Sequence, residues 1–494
     1  SYNTARQLVE TIRSAVADGE TMITPETITS YTRDALGKIT SLRRDAGPMT
    51  TVESREYDLL GRLIRETDIL GRTTVRSYSG DGLVETVTTP AGATLITRKS
   101  PSGAVVRRYG TGQQDILYTV EATAEGIRTT EAVPGGEGGA PRVVTGSSTV
   151  NGFGDLVRIA AANTLNGENV RTLAYDDKGR LIREQLADMA PTLYAYDAFG
   201  NRTRAIVALE DEPTILNSRI TDYAYVAESR EDGIYRLVSI TSYTSSGTPV
   251  LQKRAALLSA LSSVLAGKTV MTDPRGHDTV EWTEYGGGSV RLQKKTVPGV
   301  GSVALTRVVD GFTTAVTGFD GATARRQRTY TETGITYADT DVRGNVFTAV
   351  CDIAGRIISG TDAAGNTTTY AYAQPFDLPT CVTNALGKTA CSVYDIRGRK
   401  EAEWGTAIQP AVYAYDAAGH IVSLSTFRDP GDVITTDPRL RTDGDITTWT
   451  YDVATGLVVR KTYANATHVD TAYDALNRVS ATTDARRSEE RRVG

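Results

Sequence analysis

Residues 340–372 read TDVRGNVFTAVCDIAGRIISGTDAAGNTTTYAY, and this stretch decides the fold. Three corners of the form Asp-x-x-Gly stand in it: Asp341 to Gly344, Asp352 to Gly355 and Asp362 to Gly365, spaced 11 and 10 residues apart. Asp suits the first position of a type I turn, where its carboxylate accepts a backbone N–H two residues on. Gly three residues later suits the left-handed conformation that follows such a turn in a hairpin. Between the corners, residues alternate in the manner of a strand, as in Thr367-Thr368-Thr369-Tyr370-Ala371-Tyr372.

Outward from this stretch the same corner recurs. YDLLGRL carries Asp58 and Gly61, TDILGRT carries Asp68 and Gly71, YDDKGRL carries Asp176 and Gly179, and YDAFGNR carries Asp197 and Gly200. Toward the C-terminus, TNALGKT carries Asn384 and Gly387, YDIRGRK carries Asp395 and Gly398, and YDAAGHI carries Asp416 and Gly419. RDALGKI at Arg33, YDVATGL at Tyr451 and YDALNRV at Tyr473 are degenerate copies; in the last, Asp474 is followed by Asn477, the residue that best tolerates the left-handed turn after Gly. Spacings fall on 10–11 residues or on 21–22, so a single unit meters the chain. The residue after the Gly, usually Arg, Asn or Lys, is read as the restart of the strand. Replacing Gly398 with Val should then cost about 1–2 kcal/mol, and replacing Arg399 much less.

Removing the turn residues leaves strands of about 6–7 residues, roughly 20–24 Å long. A filled array holds on the order of 45 strands, or roughly 200 Å of sheet at about 4.8 Å per strand. Open twisted sheets rarely exceed about 10 strands without curling. The expectation is an all-β fold: a long antiparallel β-hairpin repeat array coiled into a spiral shell or wide hollow barrel.

The repeat divides the chain into a YD-repeat array at 1–110, a degenerate array with loops at 111–335, a dense array at 336–486 and a tail at 487–494. The tail, RSEERRVG, breaks the pattern and reads as non-native. The start at Ser1, without Met or leader, reads as the start of an internal fragment. Pro134 to Gly139 is a loop signal. Residues 255–266 (AALLSALSSVLA) suit either a short helix or a buried strand with a loop; residues 5–17 suit an amphipathic helix, with strands favoured.

Composition narrows the function classes. Net charge is −5 with the signs interspersed, unlike the basic footprint of a nucleic-acid binder. No apolar run approaches the roughly 20 residues of a membrane-spanning helix. Cys351, Cys381 and Cys391 match no zinc spacing and read as ordinary sheet residues, with one disulfide as the alternative. His277, His420 and His468 lie far apart in sequence, and no HExxH or GxSxG pattern is present. Gly286-Gly287-Gly288-Ser289 lacks the lysine of a phosphate loop and reads as a turn. No catalytic, cofactor-binding or metal-ligating residue is assigned, and no cofactor is expected. Trp282, Trp404, Trp449 and the pairs Tyr370/Tyr372 and Tyr413/Tyr415 suit either sugar stacking or packing within the sheet.

The repeated YDxxGR/N pattern resembles the YD-repeat, or RHS, family of bacterial and eukaryotic cell-surface and toxin proteins, densely over 340–480 and clearly at 30–75 and 175–205. The resemblance implies a β-strand spiral around a hollow chamber. It implies a non-catalytic shell enclosing or presenting a C-terminal effector (toxin) domain outside this chain. The alternative it implies is a cell-surface adhesion or carbohydrate-binding scaffold. Partners would be the chain's own effector domain or glycans, and the location secreted or at the bacterial cell surface. Toxin members carry an autoproteolytic core domain with a DPxG signature. Asp273-Pro274-Arg275-Gly276 matches that signature superficially but sits mid-chain in repeat context and reads as a turn.

Overall fold

The computed structural model describes residues 1–134, 142–187, 189–208, 214, 217–262, 265–286, 290–300, 303–373, 375–428, 437–484 and 491–492. The loop after Pro134, the Gly287–Ser289 turn and most of the tail lie outside the described residues. Among the described residues, forty strands form one sheet. From Thr27–Arg33 onward, each strand pairs antiparallel with the next in the chain, as far as Arg491–Arg492. Glu10–Arg13 pairs with Thr27–Arg33, and Val16–Asp18 with Thr21–Thr24 forms a small hairpin of its own. Residues 5–17 therefore form no helix: after a turn in which Arg6 has φ +57°, they run mainly as strand, at Glu10–Arg13 and from Val16. Pro249–Ala260 likewise takes residues 255–260 as strand, not helix.

The three cysteines correct the reading that favoured ordinary sheet residues. Cys381 and Cys391 are disulfide-bonded, and Cys351 is free and buried. The reason is register: the strands Pro379–Thr383 and Thr389–Tyr394 form a hairpin in which Cys381 lies directly opposite Cys391.

A consecutive antiparallel meander puts alternate turns on opposite edges. The turns at Asp58, Asp176, Asp197, Asp395, Asp416, Asp452 and Asp474, each preceded by Tyr, share one edge; those at Asp68, Asp273, Asp341, Asp362 and Asn384, each preceded by Thr, share the other. We call these the Tyr–Asp rim and the Thr–Asp rim. Among the described residues of the large sheet, ladder shifts lie at the Tyr–Asp rim with one exception, at Glu131/Ala132. A β-bulge bends its strand and raises local twist. Bulges concentrated on one rim make the two rims unequal, and unequal rims curl the wall.

The curl brings the wall back onto itself. Arg72 Nη1 donates to Asp377 Oδ1 at 2.8 Å, and Arg397 Nε to the Thr111 carbonyl at 2.6 Å. Asn163 Nδ2 donates to the Ala475 carbonyl at 3.1 Å, and Asn477 Nδ2 returns to the Ala162 carbonyl at 3.2 Å. The N-terminal hairpin closes the same way: Arg307 Nη2 pairs with Asp18 Oδ1 at 2.6 Å and Thr24 Oγ1 donates to Asp310 Oδ2 at 2.6 Å. These partners lie 286 to 315 residues apart. Counted along the sheet, about 23 to 25 strands separate them, which at ~4.8 Å per strand is a coil of roughly 115 Å circumference. Each contact from a sheet turn joins the Thr–Asp rim of the earlier coil to the Tyr–Asp rim of the later one.

The wall is one layer thick. The chain exposes 28976 Å², well above the ~18,000 Å² expected of a compact globular protein of 53.0 kDa. Among the described residues, eight of the buried apolar side chains are alanines, and the buried cluster they show is small: Tyr235, Ala255 and Val270 with Leu237, Leu257 and Val280 around it. The fold is a coiled β-shell without a compact centre.

Candidate functional site

Each corner is built around its carboxylate. At Asp58, the Gly61 N–H donates to the Asp58 carbonyl at 2.9 Å, Oδ1 accepts from the Leu60 and Arg62 N–H groups at 2.9 Å each, and Oδ2 accepts from Arg62 Nε at 2.7 Å. The same arrangement recurs at Asp68, Asp176, Asp352, Asp395 and Asp474, each with the Arg four residues on. Asn fills that role opposite Asp197, Asp341 and Asp362, and His opposite Asp273 and Asp416. Asn384 accepts from the Leu386 and Lys388 N–H groups, both at 3.0 Å. The glycines of these corners have positive φ; Gly398, at +79°, is typical, and Asn477 takes the same place at +63°. The Arg62 N–H holds the Asp58 carboxyl below the usual carboxylate range, while the Arg180 and Arg478 guanidinium groups do so for Asp176 and Asp474.

The residue after the Gly is therefore not merely a strand restart. At the Tyr–Asp rim it also carries the Tyr of the next turn on that rim. Arg62 lies 4.3 Å from the Tyr78 ring centroid, Arg180 5.0 Å from Tyr196, Arg356 4.6 Å from Tyr372 and Arg399 4.6 Å from Tyr415. His420 stacks on Tyr451 at 4.6 Å. Each of these Tyr hydroxyls donates back over one strand to a main-chain carbonyl: Tyr78 to Leu63 at 3.1 Å, and Tyr196 to Leu181, Tyr372 to Ile357, Tyr415 to Lys400 and Tyr451 to Ile421, each at 2.8 Å. Arg180 and Arg399 also donate to the Asp197 and Asp416 carbonyls at 2.9 and 3.0 Å. Burial raises the pKa of Tyr78, Tyr372, Tyr415 and Tyr451. The Asp–Arg–Tyr chain thus links alternate hairpins laterally.

The Thr–Asp rim is fastened differently. Thr67 and Thr73 share a hydroxyl hydrogen bond of 3.2 Å, Thr361 and Thr367 one of 2.9 Å, and Thr317 and Thr323 one of 2.7 Å.

The remaining candidate residues are spent within the wall. The Asp273 carboxylate accepts the Arg275 and His277 N–H groups, which makes Asp273 to Gly276 a repeat turn. His468 sits 3.6 Å from Asp470, well away in sequence from the His277 and His420 corners. Among the described residues no group of three or more His, Cys, Asp or Glu is placed to hold a metal ion. Tyr413 donates to Glu403 at 2.7 Å, Trp404 lies opposite Cys391, and Trp449 has Lys461 over its ring at 5.5 Å. Trp282 likewise has Lys294 over its ring, at 5.7 Å, but its indole N–H donates to Glu284 at 3.1 Å, and with Arg230, Asp232, Lys268 and Thr296 it borders a depression of about 700 Å³.

The RHS Repeat family model matches residues 57–94. No curated protein sequence matches the chain. Among solved structures, the fold is similar to the Photorhabdus luminescens Tc holotoxin pore with a TccC3 mutation, at 10% identity and a TM-score of 0.53, over 99% of this chain and 30% of that one. It is similar to the TcdB2-TccC3-Cdc42 crystal structure at 12% identity and a TM-score of 0.52, over 97% of this chain and 28% of that one. The chain thus spans less than a third of the chains it resembles, and the likeness is one of fold.

Proposed function

We propose that this chain, whose residues 57–94 match the RHS Repeat family model, is a non-catalytic section of a β-shell that encloses or presents a C-terminal effector (toxin) domain lying outside these 494 residues. The observation that carries this reading is the seam: contacts 284 to 315 residues apart wind a one-layer wall into a coil around open space. Titratable groups support the non-catalytic part. The corner carboxylates are consumed by turn N–H groups and guanidinium groups, and a carboxylate so bound is a poor proton acceptor at neutral pH. The similarity to Tc toxin structures favours a toxin-type effector and a secreted or cell-surface setting. The test is protease challenge of the full natural reading frame. The region after the repeats should resist digestion until the wall is unfolded. A downstream region cut as fast beside the wall as alone, or no downstream region at all, would refute the reading.

The Trp282 depression favours a second reading, a glycan-binding scaffold, because an indole ringed by Asp232, Lys268 and Glu284 offers both a stacking face and hydroxyl partners. Glycan-array binding that disappears on Trp282→Ala would support it; an empty array would remove it.

A further inference from the structure

One join of the seam is seated on a hairpin that the disulfide fastens. The strands Pro379–Thr383 and Thr389–Tyr394 share three ladder positions: Cys381 with Cys391, Val382 with Ala390 and Thr383 with Thr389. Their corner has Asn384 where most corners have Asp, so no carboxylate clamps Lys388. The disulfide closes the end of this short ladder that lies away from the corner. A cross-link between paired strands removes the unzipped states of the hairpin between them. Just before the hairpin, Pro375–Leu378 meets the earlier coil. Arg72 Nη1 and Nη2 donate to the Asp377 carboxylate at 2.8 and 3.2 Å, and Nη1 to the Pro375 carbonyl at 3.3 Å. The same segment rests on the second strand of the hairpin. The Phe376 ring meets Tyr394 edge-on at 6.4 Å, and the Tyr394 hydroxyl donates to the Pro379 carbonyl at 2.9 Å. A continuous path thus runs from Cys381–Cys391 through the hairpin and Phe376 to Asp377 and Arg72.

We propose that the Cys381–Cys391 bond is a redox latch on the seam: a thiol reductant that opens it frees the hairpin, and with it the Arg72–Asp377 join between coils. Both cysteines are half-buried, within reach of a small thiol, while Cys351 is buried and takes no part. The step is thiol–disulfide exchange. A reductant thiolate attacks one sulfur and the Cys381–Cys391 bond breaks, giving a mixed disulfide and one cysteine thiolate. A second reductant thiolate then displaces the other cysteine, and the reductant leaves as its own disulfide. The two electrons come from the reductant, and the two protons its thiols lose end on Cys381 and Cys391. Disulfides persist outside the cell and are reduced where glutathione keeps thiols free. The join is therefore fastened in the first setting and loosened in the second. That use of the latch rests on the secreted setting proposed above; the coupling of bond to seam does not.

The test is hydrogen exchange of the 494-residue chain with and without dithiothreitol. The reductant should speed exchange at Thr380–Thr383 and Thr389–Tyr394 by about tenfold or more. It should also speed exchange at Leu70–Arg72 on the earlier coil, where the Leu70 and Arg72 N–H groups bond Asp68, the carboxylate that Arg72 Nε also holds. Lys178–Arg180, at the Asp176 corner, should keep its rate. The variant Cys381→Ser/Cys391→Ser should show the faster exchange without reductant, an unchanged circular dichroism spectrum and no further response to dithiothreitol. Leu70–Arg72 amides that keep their rate once the bond is open overturn the proposal. So does a response to dithiothreitol that persists in the double variant, or one shared equally by Lys178–Arg180, which would be a loosening of the whole wall. Each outcome is read from exchange alone, whatever the shell encloses.

Discussion

Arg399 fastens three groups at once: its Nε holds Asp395 Oδ2 at 2.6 Å, its Nη1 donates to the Asp416 carbonyl at 3.0 Å, and its guanidinium lies 4.6 Å from the Tyr415 ring, whose own hydroxyl donates to the Lys400 carbonyl. An exposed ion pair alone is worth about 0–1 kcal/mol. A partly desolvated cation–π contact adds about 0.5–2 kcal/mol, and the carbonyl hydrogen bond is of similar size. Replacing Arg399 with Ala should therefore cost about 1–2 kcal/mol, which corrects the expectation from sequence that it matters much less than Gly398. Gly398→Val should cost a comparable amount, because a left-handed residue with a Cβ is strained and that Cβ would meet the Phe376 ring at 3.4 Å. Hydrogen exchange separates the two. Gly398→Val should speed exchange at its own hairpin, whereas Arg399→Ala should also loosen the hairpin that follows, at Ala411–Tyr415 and Ile421–Thr426. Arg399→Ala effects confined to its own corner would show that the lateral link carries nothing.

At the scale of the hairpin, the corner and the step length were legible, since a turn is a local event read from residues four apart. The two rims were not read from the sequence, although the letter before the Asp marks most of their corners, Tyr on one edge and Thr on the other. What was not legible joins residues that only the register brings together. Tyr415 reaches Lys400 across 15 positions, and Arg62 reaches Tyr78 across an intervening hairpin. The Cys381–Cys391 bond is an intermediate case. Zinc-type spacing has nothing to say about two cysteines ten residues apart. Ten residues is, however, one repeat step, and hairpin register places such a pair face to face. Thiol titration checks this element directly. The native chain should expose no reactive thiol, because Cys351 is buried. Denatured without reductant it should show one, and denatured with reductant three. Three thiols without reductant would rule out the bond.

Across the whole molecule the same few contacts set two global responses. The corner carboxylates Asp58, Asp176, Asp197, Asp341, Asp362 and Asp474 all have lowered pKa values, through turn N–H groups and the Arg or Asn beside them. A folded value below the unfolded one, about 3.9, gives stability that is complete above that pH and lost as pH falls through the folded values. The melting temperature should thus hold level from pH 7 to about 5 and drop below about 4; a flat profile down to pH 3 would show the corners do not depend on charge. The second response concerns the seam, whose joins between sheet turns are hydrogen bonds and an ion pair at Arg72, Arg397, Asn163 and Asn477. At about 0.5–1.5 kcal/mol apiece these are few beside the ladder that runs through every strand pair, so the coils should part before the wall unzips. The variant Arg72→Ala/Arg397→Ala/Asn477→Gly removes three of the joins, and Gly at 477 keeps the left-handed corner. Its circular dichroism should match the unmodified chain while small-angle scattering reports a larger radius of gyration. An unchanged radius would mean that the wall keeps its coil through curvature alone, with the bulged Tyr–Asp rim and not the seam setting the diameter.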